Sequence, residues 1–276
     1  MISAFTDPRD RFTLQAEEEF RASLRPIYRN SALKPRPVHV ASCLLLSIDG
    51  DPTICTAAHV ADHSAEHDLY LGGVQGGRPV HIPRGAFVST PAPGGSRSQD
   101  HFDYASWQPP SLAAFATLGA VEFLKVPEVL AESAPTQTKL FTAIGYARSR
   151  NKDKINHSRK TIETRISMYS AHVEDMPELA ADLGITGAEH LFLQWEPLSF
   201  AGTTRMNTFG ARGFSGGALL DLGEFTSDKS YERDPKGNAK LSGMIIEYYE
   251  PYRALVSVKI GTIIDGIRLA ALARRS

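Results

Sequence analysis

Three short segments of this 276-residue sequence carry side chains suited to nucleophilic catalysis. His59 closes the string Thr-Ala-Ala-His, Asp103 lies in Phe-Asp-Tyr-Ala, and Ser215 is flanked by glycines in Gly-Phe-Ser-Gly-Gly. A serine hydroxyl becomes an effective nucleophile only when a base removes its proton, and an imidazole held by a carboxylate is such a base. The three segments therefore predict a nucleophile, a general base and an orienting acid.

The glycines around Ser215 predict a binding place for the negative charge that develops on a carbonyl oxygen under attack. Glycine lets the backbone turn its N–H groups toward such an oxyanion and lets a substrate come close. The backbone N–H groups of Gly213 and Ser215 are the candidate donors. Because short glycine-rich strings also occur in ordinary turns, Ser215 is predicted to be a nucleophile only in combination with His59 and Asp103.

The order of these residues along the chain decides between two catalytic arrangements. Gly-x-Ser-x-Gly also fits the nucleophile elbow of α/β-hydrolases, in which the acid and the histidine follow the serine. Here all nine histidines, the last of which is His190, precede Ser215. An α/β-hydrolase triad would need a histidine from another chain, whereas the order His, Asp, Ser is complete.

Together, the three segments resemble the catalytic blocks of trypsin-like serine peptidases with the chymotrypsin fold, of the bacterial stand-alone type. Their separations of 44 and 112 residues suit a histidine and an aspartate in one β-barrel and a serine in a second. Ile144–Tyr146 and Ser242–Ile246 resemble further blocks of that family. The resemblance covers about residues 37–273.

This resemblance implies a role for each candidate. Ser215 would attack a peptide carbonyl, His59 would accept and later return the proton, and Asp103 would orient the imidazole. The N–H groups of Gly213 and Ser215 would form the oxyanion hole. The resemblance implies a protein or peptide substrate and neither a cofactor nor a metal ion.

Substrate preference is predicted only from positions in the family resemblance. These place Phe209 near the base of the primary pocket and Ile246, Glu247 and Tyr248 along one wall. Because Phe209 is not acidic, a preference for Arg or Lys by that route is not indicated, although Glu247 offers a charge. Phe214 stands where secreted digestive members carry an aspartate that binds a newly cut N-terminal amine, so activation by N-terminal cutting is not expected.

The chain around these residues has the pattern of short β-strands separated by turns. Turn signals such as Asp49-Gly50-Asp51-Pro52 separate strands that form two groups of about six, which predicts an all-β fold of two six-stranded antiparallel β-barrels. Apolar stripes at helical spacing predict a helix at each end of the chain. The predicted organisation is a helical extension over residues 1–36, a first barrel with His59 and Asp103 over 37–126, a linker over 127–137, and a second barrel with Ser215 and the C-terminal helix over 138–276.

Composition argues against several other classes of protein. The chain has 30 Lys and Arg against 31 Asp and Glu, which argues against general nucleic-acid binding or a polybasic membrane surface. No apolar run approaches the roughly 20 residues that span a bilayer, and no signal peptide is recognisable, so a cytoplasmic protein without a membrane partner is expected. Two cysteines, Cys43 and Cys55, exclude a dense disulfide scaffold, and they would face each other if the turn around Asp49 closes a symmetric hairpin.

Two further patterns have both a functional and a plain interpretation. His59, His63 and His67 recur at helical spacing that suits a metal ion, but His59 is needed as the base and a polar turn explains the others. Residues 148–160 carry a net charge of +5, which fits docking of an acidic partner or of nucleic acid, but a solvated loop is the favoured interpretation because no aromatic residues are interleaved for base stacking.

Three functions stay open from the sequence. The first is a serine endopeptidase, and the second is a catalytically silent, protease-like binding module or scaffold in a multi-protein system. The third is an esterase or acyl transferase that uses the same three side chains. Bacterial proteins that the sequence resembles often work beside separate partner proteins, which implies a regulatory protein partner.

Overall fold

A computed structural model describes most of the chain. The described ranges are residues 8–31, 34–73, 77–126, 139–151, 155–156, 161–162, 164–201, 204–224 and 239–274. The predicted linker over 127–137 therefore lies outside the described residues. The helices are α1 (Pro8–Phe20), α2 (Ala58–Asp62), α3 (Pro177–Leu183) and α4 (Ile260–Ala273). The strands are β1 (Leu24–Ser31), β2 (Lys34–Ile48), β3 (Asp51–Ala57), β4 (Leu69–Leu71), β5 (Val80–Ile82), β6 (Val88–Ser89), β7 (Tyr104–Trp107), β8 (Leu124–Lys125), β9 (Lys139–Gly145), β10 (Ile155–Asn156), β11 (Thr161–Ile162), β12 (Ser167–Ala171), β13 (His190–Gln194), β14 (Leu198–Ala201), β15 (Thr204–Asn207), β16 (Ala218–Glu224), β17 (Lys240–Tyr249) and β18 (Ala254–Lys259).

The first sheet brings together the parts of the chain that carry His59 and Asp103. Its strands run antiparallel in the order β5-β4-β1-β2-β3-β7-β6, and β8 adds a short parallel pairing with β2. β2 and β3 form a hairpin whose two turn residues, Asp49 and Gly50, both have positive φ. That conformation matches the natural twist of paired strands and explains why the turn contains Asp-Gly. β3 then leads directly into α2, and its neighbour β7 begins next to Asp103.

The second sheet positions the segment around Ser215. Its strands are also antiparallel and follow the order β12-β9-β16-β17-β18-β13. β9 is buried along its whole length, and its sequence is accordingly apolar except at Lys139 and Thr142. In β17 the register with β18 shifts between Ile245 and Glu247. A β-bulge of this kind re-aims the side chains that follow it, and here these are Glu247 and Tyr248.

The all-β prediction with a helix at each end is confirmed, but the sheets differ from the expected six-stranded barrels. Both sheets are curled half-barrels, with seven strands along the path of the first and six in the second. The additional strand is β1, which lies within residues 1–36, where we expected a helical extension. The helix ends at Phe20, a short 3-10 turn follows over Arg21–Ser23, and β1 then begins at Leu24. Leu24 and Ile27 are buried in this strand, which lies between β2 and β4.

Both terminal helices cover the core between the two sheets. Ala16 and Phe20 of α1 and Ile263 and Ile264 of α4 belong to one apolar cluster, which also contains residues of both sheets. The apolar stripes seen in the sequence are therefore the buried faces of these helices. No helix in the described ranges is both long enough and apolar enough to cross a bilayer.

The two cysteines lie on opposite faces of the first sheet, so the expected face-to-face arrangement is wrong. Cys55 pairs with Leu44 rather than Cys43, because the hairpin turn is centred between Asp49 and Gly50. A one-residue change of register moves a side chain to the other face of a sheet. Cys43 consequently packs inside the first sheet and Cys55 packs between the sheets, and both are free thiols.

Candidate active site

His59 is held by two hydrogen bonds to the carboxylate of Asp103. The ring Nδ1–H donates to Oδ2 at 2.6 Å, and the backbone N–H of His59 donates to Oδ1 at 2.8 Å. With the proton on Nδ1, the lone pair of the imidazole is on Nε2. Burial lowers the pKa of His59, but the hydrogen bond and charge of Asp103, with the charges of Glu247 and Asp62, outweigh it and raise the pKa above its ordinary value.

Asp103 owes its position to a loop that Asp100 organises. Oδ1 of Asp100 accepts the backbone N–H groups of Phe102 at 3.2 Å and of Asp103 at 3.0 Å. The backbone of Asp103 has a φ of 40°, a left-handed conformation that aspartate tolerates better than most residues. Its carbonyl accepts the N–H of Ala58 at 2.8 Å, so the acid loop is also tied to the helix of His59.

Arg97 connects the acid loop to α2 a second time. Its Nε and Nη2 donate to the two carboxylate oxygens of Asp62 at 2.7 and 3.0 Å. Its Nη1 donates to Oδ2 of Asp100 at 2.7 Å. One guanidinium thus joins the last residue of α2 to the carboxylate that shapes the Asp103 loop, using the fork geometry of arginine.

Ser215 lies in the turn before β16, and hydrogen bonds from β2 of the first sheet fix the position of this turn. The backbone N–H of Ser42 in β2 donates to the carbonyl of Ser215 at 2.9 Å. The Ser42 hydroxyl donates to the carbonyl of Gly213 at 2.8 Å and accepts the N–H of Tyr146 at 2.8 Å. Ser42 is fully buried, so water does not compete for these hydrogen bonds, and they fix the turn that contains Ser215 against β2.

Gly213 needs to be glycine for two reasons. Its φ is 96°, and a Cβ atom would lie 2.6 Å from the Tyr146 carbonyl oxygen and 2.9 Å from the Arg148 nitrogen. Neither the N–H of Gly213 nor that of Ser215 has an acceptor among the residues that the structure describes. Two adjacent donors without internal partners are what an incoming oxyanion requires.

One cavity brings the histidine and the serine together. It has a volume of about 360 Å³, and its lining includes His59, Gly213, Ser215, Glu247 and Tyr248. His59 lies in α2, directly after β3 of the first sheet, whereas Gly213 and Ser215 precede β16 and Glu247 and Tyr248 lie in β17 of the second sheet. The cavity is therefore lined by segments that both sheets position. Within the described ranges no hydrogen bond joins the Ser215 hydroxyl to His59.

The four residues predicted to form the substrate pocket divide into two pairs. Glu247 and Tyr248 line the cavity, and burial is the main reason why the pKa of Glu247 is raised. Phe209 and Ile246 are not among the lining residues. Phe209 instead stacks on Phe214, with ring centroids 5.6 Å apart, and Ile246 is buried in the core between the sheets.

Sequence reasoning did not find Ser42, Arg97 or Asp100. Ser42 is an ordinary strand residue whose importance depends on the opposite sheet. Arg97 acts through contacts with residues up to 35 positions away. Asp100 did leave a signal, because an aspartate three residues before a loop residue often accepts that residue's N–H.

The histidines after His59 do not form a metal site. Among the described residues, no group of three or more His, Cys, Asp or Glu side chains is arranged to hold a metal ion. The rings of His63 and His67 are 6.4 Å apart, and Nδ1 of His63 lies 3.4 Å from the guanidinium of Arg29. A neighbouring cation disfavours a bound metal ion at that nitrogen.

Comparisons with known proteins give distant structural neighbours only. No protein-family model matches the sequence, and no curated protein matches it. A solved serine endoprotease from Yersinia pestis is 14% identical with a TM-score of 0.47, covering 91% of this chain and 65% of that chain. An inactive serine-to-alanine mutant of Rv3671c from M. tuberculosis H37Rv is 13% identical with a TM-score of 0.48, covering 97% and 94%. A structure from a study of the Sesbania mosaic virus VPg protein is 15% identical with a TM-score of 0.46, covering 88% of each chain.

Proposed function

We propose that this chain is a serine endopeptidase that hydrolyses peptide bonds through an acyl-enzyme. The observation that carries the proposal is the imidazole of His59, held at 2.6 Å by Asp103 and lining the same cavity as Ser215. An oriented imidazole beside a serine hydroxyl and free backbone donors is the set of groups that acyl transfer needs.

In the proposed reaction, Nε2 of His59 takes the proton of Ser215 while Oγ attacks the carbonyl carbon of the substrate. The N–H groups of Gly213 and Ser215 donate to the resulting oxyanion, and Asp103 stabilises the imidazolium. His59 then protonates the leaving amine, the C–N bond breaks, and the acyl group stays on Ser215. A water molecule, activated by His59, releases the acid and restores the hydroxyl.

A catalytically silent binding module is the second candidate. The observation in its favour is the absence, among the described residues, of a hydrogen bond between the Ser215 hydroxyl and His59. Catalytic hydrogen bonds often form fully only when substrate is bound, so the absence of this bond is compatible with both candidate functions. In the binding module the same cavity would hold a peptide without cleaving it.

Labelling with a fluorophosphonate probe separates the two candidates. The peptidase predicts labelling of the native chain and none of the Ser215→Ala variant, because the probe reacts with an activated serine. Ser106→Ala is the matched control, since this half-buried serine of β7 does not line the cavity and its replacement should leave labelling unchanged. Absence of labelling in the native chain would favour the binding module.

A cleavage profile separates peptidase from esterase. We expect hydrolysis within a library of internally quenched peptides that are blocked at both ends, and loss of that hydrolysis in Ser215→Ala. Turnover of simple esters without any cleaved peptide would identify esterase or acyl-transfer chemistry at the same serine. The cytoplasmic location and the regulatory protein partner stay predictions from the sequence.

A further inference from the structure

Two arginines lie side by side at the Gly213 end of the cavity. Arg148 and Arg212 both line the cavity, and both side chains are exposed. The backbone N–H of Arg148 donates to the carbonyl of Arg212 at 2.8 Å, so the two segments are fixed next to each other. Arg148 begins the basic segment over residues 148–160, whose charge pattern by itself favours a solvated loop.

Within the described ranges, no carboxylate pairs with either arginine. Across the described residues, neither Arg148 nor Arg212 forms an ion pair or a side-chain hydrogen bond. Arg150, in contrast, lies with its guanidinium 4.6 Å from the ring centre of Phe209 and is not a lining residue. Two cationic side chains that line one cavity attract an anionic ligand, and a carboxylate bound there would interact favourably with both.

Two carboxylates, those of Glu247 and Glu250, also line the cavity. The Glu247 carboxylate is influenced by burial, by His59, by Asp103 and by Tyr249, and no arginine is among these groups. The cavity therefore carries charges of both signs, with the two arginines beside Gly213 in the lining and the Glu247 carboxylate near His59. Such a separation of charge orients a charged ligand within a cleft.

We propose that Arg148 and Arg212 form a subsite that binds a carboxylate of the peptide held at Ser215, so that the chain selects acidic peptides. This inference rests on the proposed function, since it names the substrate class of the same cavity. The planar guanidinium presents paired donors that match the two oxygens of a carboxylate. The carboxylate comes from a glutamate or aspartate side chain or from the free C-terminus of a peptide.

Binding to the Ser215→Ala variant tests the subsite without requiring catalysis. Fluorescence anisotropy would compare three fluorescein-labelled Gly-Ser peptides: one with glutamates and an amidated C-terminus, one with glutamines and an amidated C-terminus, and one with glutamines and a free C-terminus. We expect the glutamate peptide to bind about five to ten times more tightly than the amidated glutamine peptide. Tight binding of only the free C-terminus would identify that carboxylate as the group recognised.

Charge-removing variants assign the effect to the two arginines. Arg148→Gln and Arg212→Gln, each combined with Ser215→Ala, should weaken binding of the preferred acidic peptide about fivefold, and Arg150→Gln should leave it unchanged. The preference should also shrink when salt rises from about 50 to about 300 mM, because both arginines are exposed. Equal affinity for all three peptides, or an equal loss in Arg150→Gln, would overturn the subsite.

The two proposals fail in different ways. Arginine-dependent binding of the acidic peptide, together with no fluorophosphonate labelling of the native chain, would keep the subsite and reject the peptidase. Labelling of Ser215 with no acidic preference would keep the peptidase and reject the subsite.

Discussion

The two carboxylate oxygens of Asp103 accept two hydrogen bonds from His59, one from the ring Nδ1–H at 2.6 Å and one from the backbone N–H at 2.8 Å. A single bond to the ring would leave the carboxylate free to rotate about it. The second bond prevents that rotation, because each carboxylate oxygen then accepts an N–H group of His59. The position of the helix and the tautomer of the imidazole therefore depend on the same side chain.

Replacing Asp103 with asparagine should disable the base while keeping its shape. The amide has one acceptor oxygen, and if it receives the backbone N–H, the amide nitrogen faces Nδ1 and favours the wrong tautomer of His59. We expect the rate of fluorophosphonate labelling to fall by about 10³-fold or more. Rates within about threefold of the native chain, with an unchanged circular dichroism spectrum, would argue against a catalytic role for Asp103.

The pH dependence of labelling should reflect the raised pKa of His59. The neutral imidazole is the base, so labelling should fall as the pH drops through a midpoint above the ordinary value of 6.5. Glu247→Gln should move that midpoint downward, because it removes a negative charge that favours the imidazolium. Glu250→Gln is the control, since Glu250 is not among the charges that act on His59. A midpoint below 6.5 in the native chain would contradict the assignment.

The raised pKa of His59 also makes the free energy of unfolding depend on pH in a defined direction. Because the pKa of His59 is higher in the folded chain than in the unfolded chain, its contribution to the free energy of unfolding is fully present below the unfolded pKa. That contribution is lost as the pH rises through the folded pKa. His59→Gln should therefore reduce the dependence of the free energy of unfolding on pH between about 6 and 8, measured by urea denaturation.

Arg97→Met should destabilise the loop that positions Asp103, although within the described ranges Arg97 forms no hydrogen bond with His59 or Ser215. The substitution keeps much of the side-chain volume but leaves the buried carboxylate of Asp100 without its cation, so the free energy of unfolding should fall by about 1–3 kcal/mol. The downfield proton resonance of His59 Nδ1–H should broaden or shift, because Asp103 loses its support. Arg84→Met is the control, since its ion pair with Asp68 is exposed and should cost less than about 1 kcal/mol. An unchanged resonance in Arg97→Met would show that Arg97 does not position the base.

Gly213→Ala should remove the oxyanion donors. The added methyl group meets the Tyr146 carbonyl oxygen at 2.6 Å, and the φ of 96° strains any other residue, so the turn must move. We expect the labelling rate to fall by about 10²-fold or more, the loss expected for one oxyanion donor. Gly187→Ala provides the control, because nothing lies within 4 Å of its added methyl group. Equal labelling rates in the two variants would remove Gly213 from the site.

Local sequence determined which chemistry is available. His59, Asp103 and Ser215 were recognised from their neighbours and their order, because small residues before a histidine and glycines around a serine are local patterns. The strand-rich character and the two terminal helices were also predicted, since hydrophobic period and turn residues depend on nearby positions alone. Asp100 was not predicted, although its bond to the Asp103 backbone spans only three residues and is therefore local as well.

Tertiary structure decided which residues share a surface. The one-residue register between Leu44 and Cys55 separates the cysteines, and it depends on hydrogen bonds along the whole hairpin. Ser42 supports the nucleophile turn across 171 residues of sequence, and Arg148 meets Arg212 at the cavity although 64 positions separate them. Contacts of this kind follow from strand pairing and from the packing of one sheet on another. The spacing of residues within a short segment therefore does not predict them.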